Sequence, residues 1–224
     1  MSRNKSNGRS GNGDSGVSAV AEYEPGRDWE ELYASQEVET MPWFSPTLDR
    51  DVAKALRRYN ISGGRALDVG SGPGTQAIEL ARRGFDVTAV DVSESAMRKG
   101  AMRAAEARVK AVFRQDNILA SRLGERFNLI LDRGCFHTFQ PQQRPIYVRQ
   151  VRQLLLPDGL LLLKTFSHRE PGDWGPYRFH PNEIRGYFSA DFEIVALEET
   201  VYEGTNEMPP QALFCVMKLR QDGK

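Results

Sequence analysis

The stretch that most constrains this chain is Leu67-Asp68-Val69-Gly70-Ser71-Gly72-Pro73-Gly74-Thr75. An apolar run from Ala66 to Val69 ends in three glycines at alternate positions, and an amphipathic segment from Thr75 to Arg83 follows at once. That order predicts a buried strand, a tight turn and a helix N-terminus. Glycine permits close backbone approaches that a Cβ forbids, and the first helical turn leaves N–H groups for a ligand. Asp68 adds a carboxylate at the carboxyl end of the strand. Such a turn is suited to a nucleoside-bearing cofactor.

Glycine spacing narrows the choice. A dinucleotide fingerprint begun at Gly70 and Gly72 would place its third glycine at position 75, where this chain has Thr75. The pattern is D-x-G-x-G-x-G instead. Three acids follow, each closing a strand-like run. Asp91 ends a β-branched segment from Asp86, about 20 residues past the turn, where an acid accepts from ribose hydroxyls. Its other reading is a cap for a helix starting near Glu94, although Ser93 can serve there. Asp116 ends Val109–Asp116, with an ordinary polar turn as its alternative. Asp132 ends Phe127–Asp132 and leads into Arg133-Gly134-Cys135-Phe136-His137.

With these features in this order, the chain resembles the class I S-adenosylmethionine (SAM)-dependent methyltransferases, whose first motif is D-x-G-x-G-x-G. The segment Asp-Arg-Gly-Cys-Phe-His is similar to small-molecule members grouped around thiopurine S-methyltransferase and tellurite-resistance proteins. It departs from the Asn-Pro-Pro-Tyr pattern of enzymes that methylate amide or adenine nitrogens. The resemblance covers roughly residues 23–220.

The resemblance implies a Rossmann-like α/β fold. It has a seven-stranded, mostly parallel sheet, helices on both faces and a C-terminal antiparallel hairpin. It also implies SAM as cofactor and S-adenosylhomocysteine as product. Asp68 and Gly70 would meet the methionine end, with Ser71, Gly72, Gly74 and Thr75 completing the turn. Asp91 and Val92 would meet the ribose. Asp116 would accept from the adenine amino group, and Asn117 and Ile118 would line its slot. Asp132 and Arg133 would face the methyl group, and Trp29, Tyr33 and Trp43 would close over the cofactor.

Two residues are catalytic candidates. His137, five residues past Asp132, can take a proton or orient the acceptor; equally, it can be a histidine bonded to backbone. Arg178, in Gly175-Pro176-Tyr177-Arg178-Phe179-His180-Pro181, can pair an acidic acceptor or lie free on the surface. His180 can cap the helix opened by Pro181. Cys135 is expected to pack rather than react, because direct transfer needs no enzyme nucleophile.

The expected activity is transfer of a methyl group from SAM to a small molecule by in-line displacement. A thiol or a chalcogen or metalloid species is the favoured acceptor. The alternatives are N- or O-methylation of a small metabolite, and a non-catalytic SAM-binding protein of the same fold. A nicotinamide-dependent oxidoreductase is disfavoured by Thr75 and by the C-terminal hairpin.

Charge excludes other classes. Lys plus Arg and Asp plus Glu both number 30, so no net field draws nucleic acid or a membrane surface. The local run of Arg98, Lys99, Arg103, Arg108, Lys110 and Arg114 reads as a solvated helix face. Two cysteines give neither a disulfide framework nor zinc-ligand spacing, so no metal is expected. No signal peptide or membrane span is visible, which makes cytoplasm the expected setting. Residues 1–20, rich in Gly, Ser and Asn, read as a disordered tail. Residues 21–222 then form one domain with an N-terminal helical lid at 23–60 and a second lid candidate at 168–185. A monomer or weak homodimer is expected.

Overall fold

The computed structural model describes residues 27–173, 175–205 and 207–221. The tail expected at 1–20 lies outside them. Eight strands run β1 (Gly64–Val69), β2 (Phe85–Asp91), β3 (Ala111–Gln115), β4 (Phe127–Arg133), β5 (Leu155–Ser167), β6 (Arg178–Phe179), β7 (Phe192–Val201) and β8 (Gln211–Leu219). Six α-helices are α1 (Trp29–Ser35), α2 (Arg50–Arg58), α3 (Thr75–Arg82), α4 (Glu94–Glu106), α5 (Arg144–Leu154) and α6 (Pro181–Phe188).

The main sheet order is β3-β2-β1-β4-β5-β8-β7. Strands β1 to β5 pair in parallel, and β8 runs antiparallel between β5 and β7. The chain winds outward from β1 to β3 and returns to β4 on the other side of β1. Open parallel sheets bind ligands at that reversal, outside the carboxyl ends of the strands. This is the Rossmann-like α/β fold with its antiparallel C-terminal hairpin.

One strand was not foreseen. β5 outruns β4, whose last pair is Arg133 with Lys164. The freed edge of β5 takes the two-residue β6, pairing Phe166 with Arg178 and Ser167 with Phe179. Two residues carry no periodic signal, so sequence patterning could not find this strand. The sheet therefore has eight strands rather than seven, and part of the 168–185 segment is stitched to it instead of lying over it.

Successive strand residues face opposite sides. Leu67, Val69, Ile130, Leu161 and Leu163 meet Tyr147, Val148 and Val151 of α5 and Ile184 and Phe188 of α6. On the other side, Ala66, Leu129, Leu131, Leu160 and Leu162 meet Val52, Ala55 and Leu56 of α2 and Ala77 and Leu80 of α3. Helix α2, grouped on sequence grounds with the N-terminal lid, is thus a layer of the core. Ahead of it, Leu32 and Tyr33 of α1 pack with Met41 on Ala96 and Met97 of α4.

The α2 side also buries charge. Lys164, in the middle of the apolar β5, is fully buried. Its Nζ donates to Asp49 Oδ1 and Oδ2 at 3.0 and 2.8 Å and to Asp51 Oδ2 at 2.7 Å. Asp49 is the N-cap of α2 and accepts the Asp51 N–H at 3.0 Å. One buried ammonium therefore fixes where α2 begins on the sheet. Removing one partner of a buried pair strands the other, so Lys164→Met should cost about 3–5 kcal/mol in urea unfolding. A loss below about 1 kcal/mol would show that the contact is not fully desolvated.

Candidate functional site

The glycine turn is built as its spacing predicts. Gly70, Gly72 and Gly74 have φ of +61°, +49° and +75°. Ser71 N–H donates to the Val90 carbonyl, and Gly74 N–H to that of Ser71, both at 3.0 Å. A Cβ on Gly72 would come within 2.7 Å of the Tyr33 hydroxyl, and one on Gly74 would strike the Phe113 ring. Phe113 of β3, which sequence reasoning passed over, thus holds the turn from beneath.

Two cavities open at this sheet edge. A smaller one, of about 50 Å³, is walled by Tyr33, Met41, Trp43 and Phe44 over Asp68, Gly70, Ser71, Gly72, Thr75 and Arg133. A larger one, of about 360 Å³, lies among Trp29, Tyr33, Gly70, Asp91, Val92, Asp116, Asn117 and Ile118. Cys135, Thr138, Phe139, Gln140 and Gln143 close its far side; apart from Cys135, these were not foreseen. Tyr33 and Gly70 line both cavities.

Two carboxylates each present an unsatisfied oxygen. Asp68 takes the Ala77 backbone N–H, and burial, reinforced by the charge of Asp132, pushes its pKa up to about 8. Its Oδ2 is buried and has no hydrogen-bond partner among the described residues. Asp116 accepts the Arg122 N–H through Oδ2 at 3.0 Å, while its Oδ1 is likewise unpartnered. Buried acceptors of this kind call for donors. A ligand that satisfies both carries one donor group at each end.

Between them, Asp91 accepts Gly72 N–H at 2.9 Å and Ser93 N–H at 3.0 Å. Burial raises its pKa despite these bonds. Ser93, not Asp91, caps α4, accepting Ala96 N–H at 3.0 Å. Glu30 of α1 reaches the same helix end. Its carboxylate takes Ser93 Oγ–H at 2.7 Å, Ser95 Oγ–H at 2.6 Å and Ser95 N–H at 3.0 Å. The Ser95 hydroxyl, followed by that of Ser93, holds the Glu30 pKa down at about 2. Trp29 and Tyr33, stacked with centroids 6.1 Å apart, are carried on that tethered helix, and Trp43 meets Trp29 edge-on.

Four residues sit otherwise than their sequence positions suggested. Asp132 is fully buried and lines neither cavity. It gathers the loop after β4, accepting N–H groups of Gly134, Cys135 and Phe136 and the Tyr147 hydroxyl at 2.7 Å. Burial brings its pKa up to about 6.

His137 is also buried behind the cavities. Its Nδ1 accepts Phe166 N–H at 3.2 Å, and the ring bonds the Gly134 backbone. Desolvation lowers its pKa to about 3, so the imidazole is neutral and committed to backbone at pH 7.

Arg178, on β6, reaches the Pro171 carbonyl at 3.3 Å and lines neither cavity. Arg133 does line the smaller cavity, but its three nitrogens bond protein groups: Asp49 Oδ2, the Trp43 carbonyl and the Glu203 carbonyl.

Cys135 backs onto Gly70. Burial, with Asp132, Asp91 and Asp68 adding to it, raises its thiol pKa well above the usual range. His180 caps α6, its Nδ1 accepting Asn182 N–H at 3.1 Å. Four residues of the basic run are engaged: Lys99 bonds the Gln36 carbonyl at 2.7 Å, and Arg98, Arg103 and Arg114 pair Glu94, Glu39 and Glu125.

Comparison with known proteins identifies the family. Residues 44–200 match the family model described as a methyltransferase domain. Thiocyanate methyltransferase 1 of Brassica oleracea is 26% identical over 164 residues, covering 72% of this chain and 73% of that protein. The probable thiol methyltransferase 2 of Arabidopsis thaliana is 26% identical over 157 residues, 69% of this chain and 68% of its own. A SAM-dependent methyltransferase from Anabaena variabilis superposes with a TM-score of 0.72 at 22% identity, over 89% of this chain and 98% of that one. The chain belongs to the methyltransferase-domain family. It is a SAM-dependent methyltransferase, and SAM is its cofactor. Among the described residues, no helix is long and apolar enough to cross a membrane.

The residues present fit that cofactor. Its ammonium group and its adenine amino group would supply donors to the unpartnered oxygens of Asp68 and Asp116, and its ribose would offer hydroxyls to Asp91. The turn at Gly70–Gly74 provides the close backbone approach.

Asp68 gives a test. A carboxyl whose folded-state pKa is raised stabilises the fold below its unfolded pKa, near 3.9, and loses that contribution as pH climbs through about 8. The SAM-free protein should therefore lose melting temperature between about pH 6.5 and 8.5, beyond the range of Asp132. Asp68→Asn should flatten that slope and weaken SAM binding by about tenfold or more. Unchanged SAM affinity in calorimetry would remove Asp68 from the site.

Proposed function

We propose that this enzyme methylates a small sulfur nucleophile, a thiolate or a thiocyanate-like anion. One observation carries the reading: the described residues around the cleft offer cofactor contacts but no base for the acceptor. Among the described carboxylates that line the cavities, Asp68, Asp91 and Asp116 are each placed for a cofactor group. His137 is neutral with its ring bonded to backbone, and the Cys135 thiol is held protonated. A phenol, or an amine that is protonated at neutral pH, would need a proton removed before or during transfer. A sulfur anion arrives with its lone pair ready. The names borne by the Brassica and Arabidopsis relatives favour the same acceptor class.

Bound in the cleft, SAM supplies an electrophilic methyl group on a neutral thioether leaving group. The chain's own residues align and desolvate. Asp68 and the Gly70 carbonyl would hold the ammonium group, Asp91 the ribose, and Asp116 the adenine, with Val92, Asn117 and Ile118 around the ring. Tyr33 and Gly70 line both cavities, and the sulfonium would sit beside them. Trp29, Tyr33 and Trp43 face that cation with aromatic π-surfaces and exclude water from the reacting atoms. Positioning of this kind can supply most of the rate for an in-line displacement. Residues 27–47 act as the lid of a single domain.

The test is release of S-adenosylhomocysteine with thiocyanate and small thiols, beside amine, phenol and chalcogen-oxyanion controls. Turnover should be confined to the sulfur acceptors. With a thiol, the rate should rise with pH along the acceptor's own ionisation, near pKa 8.5 for an ordinary thiol, and thiocyanate should show no such rise. Turnover of amines or phenols with none on sulfur would overturn the reading. Cofactor binding without turnover of any acceptor would favour a non-catalytic SAM-binding role.

A further inference from the structure

Arg133 stands at the end of β4 and lines the smaller cavity, yet its guanidinium is occupied. Nε donates to Asp49 Oδ2 at 2.8 Å, one terminal nitrogen to the Trp43 carbonyl at 3.1 Å, and the other to the Glu203 carbonyl. Its face lies 5.2 Å from the Tyr202 ring centroid. The three acceptors belong to segments far apart in sequence. Asp49 caps α2 and is itself held by Lys164. Trp43 belongs to the connector that walls the smaller cavity. Glu203 opens the β7–β8 turn, whose Thr205 N–H reaches the Pro42 carbonyl at 3.2 Å and whose Thr205 hydroxyl reaches that of Met41 at 3.3 Å.

We infer that Arg133 is the positioning residue that assembles the acceptor-side wall, clamping residues 41–45 and the β7–β8 turn onto the end of β4. Guanidinium shape is what makes this feasible. Its planar fork serves acceptors in three directions, whereas an ammonium on a flexible stem is a point charge. The Asp49–Lys164 pair fixes one prong to the sheet, so the other two set where the connector and the turn sit. Nothing in this role touches the acceptor. Arg133 acts through the Trp43 and Glu203 backbones, and the wall it holds is the one a small acceptor would pass. It therefore acts on the seating of the acceptor through the placement of Trp43, while the polar groups of SAM fall to Asp68, Asp91 and Asp116.

The acceptor part of this inference rests on the methyl-transfer reading above, so the test has an arm that needs no turnover. Arg133→Lys keeps a cation against Asp49 and gives up the two carbonyls. In the protein bound to S-adenosylhomocysteine, this variant should speed backbone hydrogen exchange at residues 41–47 and 203–210 together, leaving α3 and α5 unchanged. With thiocyanate or the fastest thiol of the panel, it should raise acceptor KM by about tenfold, while the S-adenosylhomocysteine Kd stays within about threefold. Unchanged exchange in both segments would show that Arg133 clamps nothing. Faster exchange throughout the sheet would assign it a general stabilising role. A Kd weakened as much as the KM would make it a cofactor ligand. Any of these three results overturns the inference, and the exchange arm decides it even if no acceptor in the panel is turned over.

Discussion

The carboxylate of Asp49 is the point on which the upper half of this molecule depends. It caps α2, and two cations converge on it in the interior: Lys164 from β5 and Arg133 from β4. Both charges would be costly to bury alone, and the carboxylate would be costly without them. Strong charges from both cations hold its pKa below the usual carboxylate range, although burial works the other way. Gln76 of α3 closes the arrangement, accepting Asp49 N–H at 2.9 Å and donating to the Thr47 carbonyl at 3.1 Å. The N-terminal connector, the first layer helix, the glycine-turn helix and two central strands thus share one polar knot beside the cofactor cleft.

Around the cleft the electrostatics run the opposite way. Asp68, Asp91 and Asp132 are all buried with raised pKa values, and burial is the leading cause for each. They differ in what satisfies them. Asp132 is saturated by the loop after β4, Asp91 is half committed to backbone, and Asp68 keeps one oxygen with no partner among the described residues. This gradation separates a carboxylate that builds the site from one kept for a ligand. A bound ammonium converts the costliest of the three into a satisfied ion pair, so cofactor affinity and fold stability are coupled at Asp68.

Much of this was legible in the sequence because the signals were local. The glycine turn, the strand-end acids and the helix opened by Pro181 each announce themselves within a few residues. Both faces of the sheet follow from alternation in runs such as Leu160–Leu163. What remained hidden was set by distant partners. The chain order Asp-Arg-Gly-Cys-Phe-His placed His137 near the methyl group, but a single helical turn at Phe136–Thr138 swings it behind the loop to meet Phe166. Arg133 looked like a ligand contact because its three acceptors lie 84, 90 and 70 residues away in the chain. Lys164 was the one available warning: a charge inside an apolar strand demands a buried counter-charge, though its identity as Asp49 could not be read locally.

Cys135 shows what the cluster of buried carboxylates does for the enzyme's own integrity. Its side chain lines the larger cavity and touches Gly70, within the same cleft that holds an activated methyl group. A thiolate there would be alkylated by the donor, and the protein would inactivate itself. Burial first, and then the neighbouring acids Asp132, Asp91 and Asp68, keep the proton on sulfur, and a protonated thiol is a poor nucleophile. The same field that leaves Asp68 waiting for an ammonium group therefore also discriminates between sulfurs: one that arrives already ionised reacts, and the one built into the wall is spared.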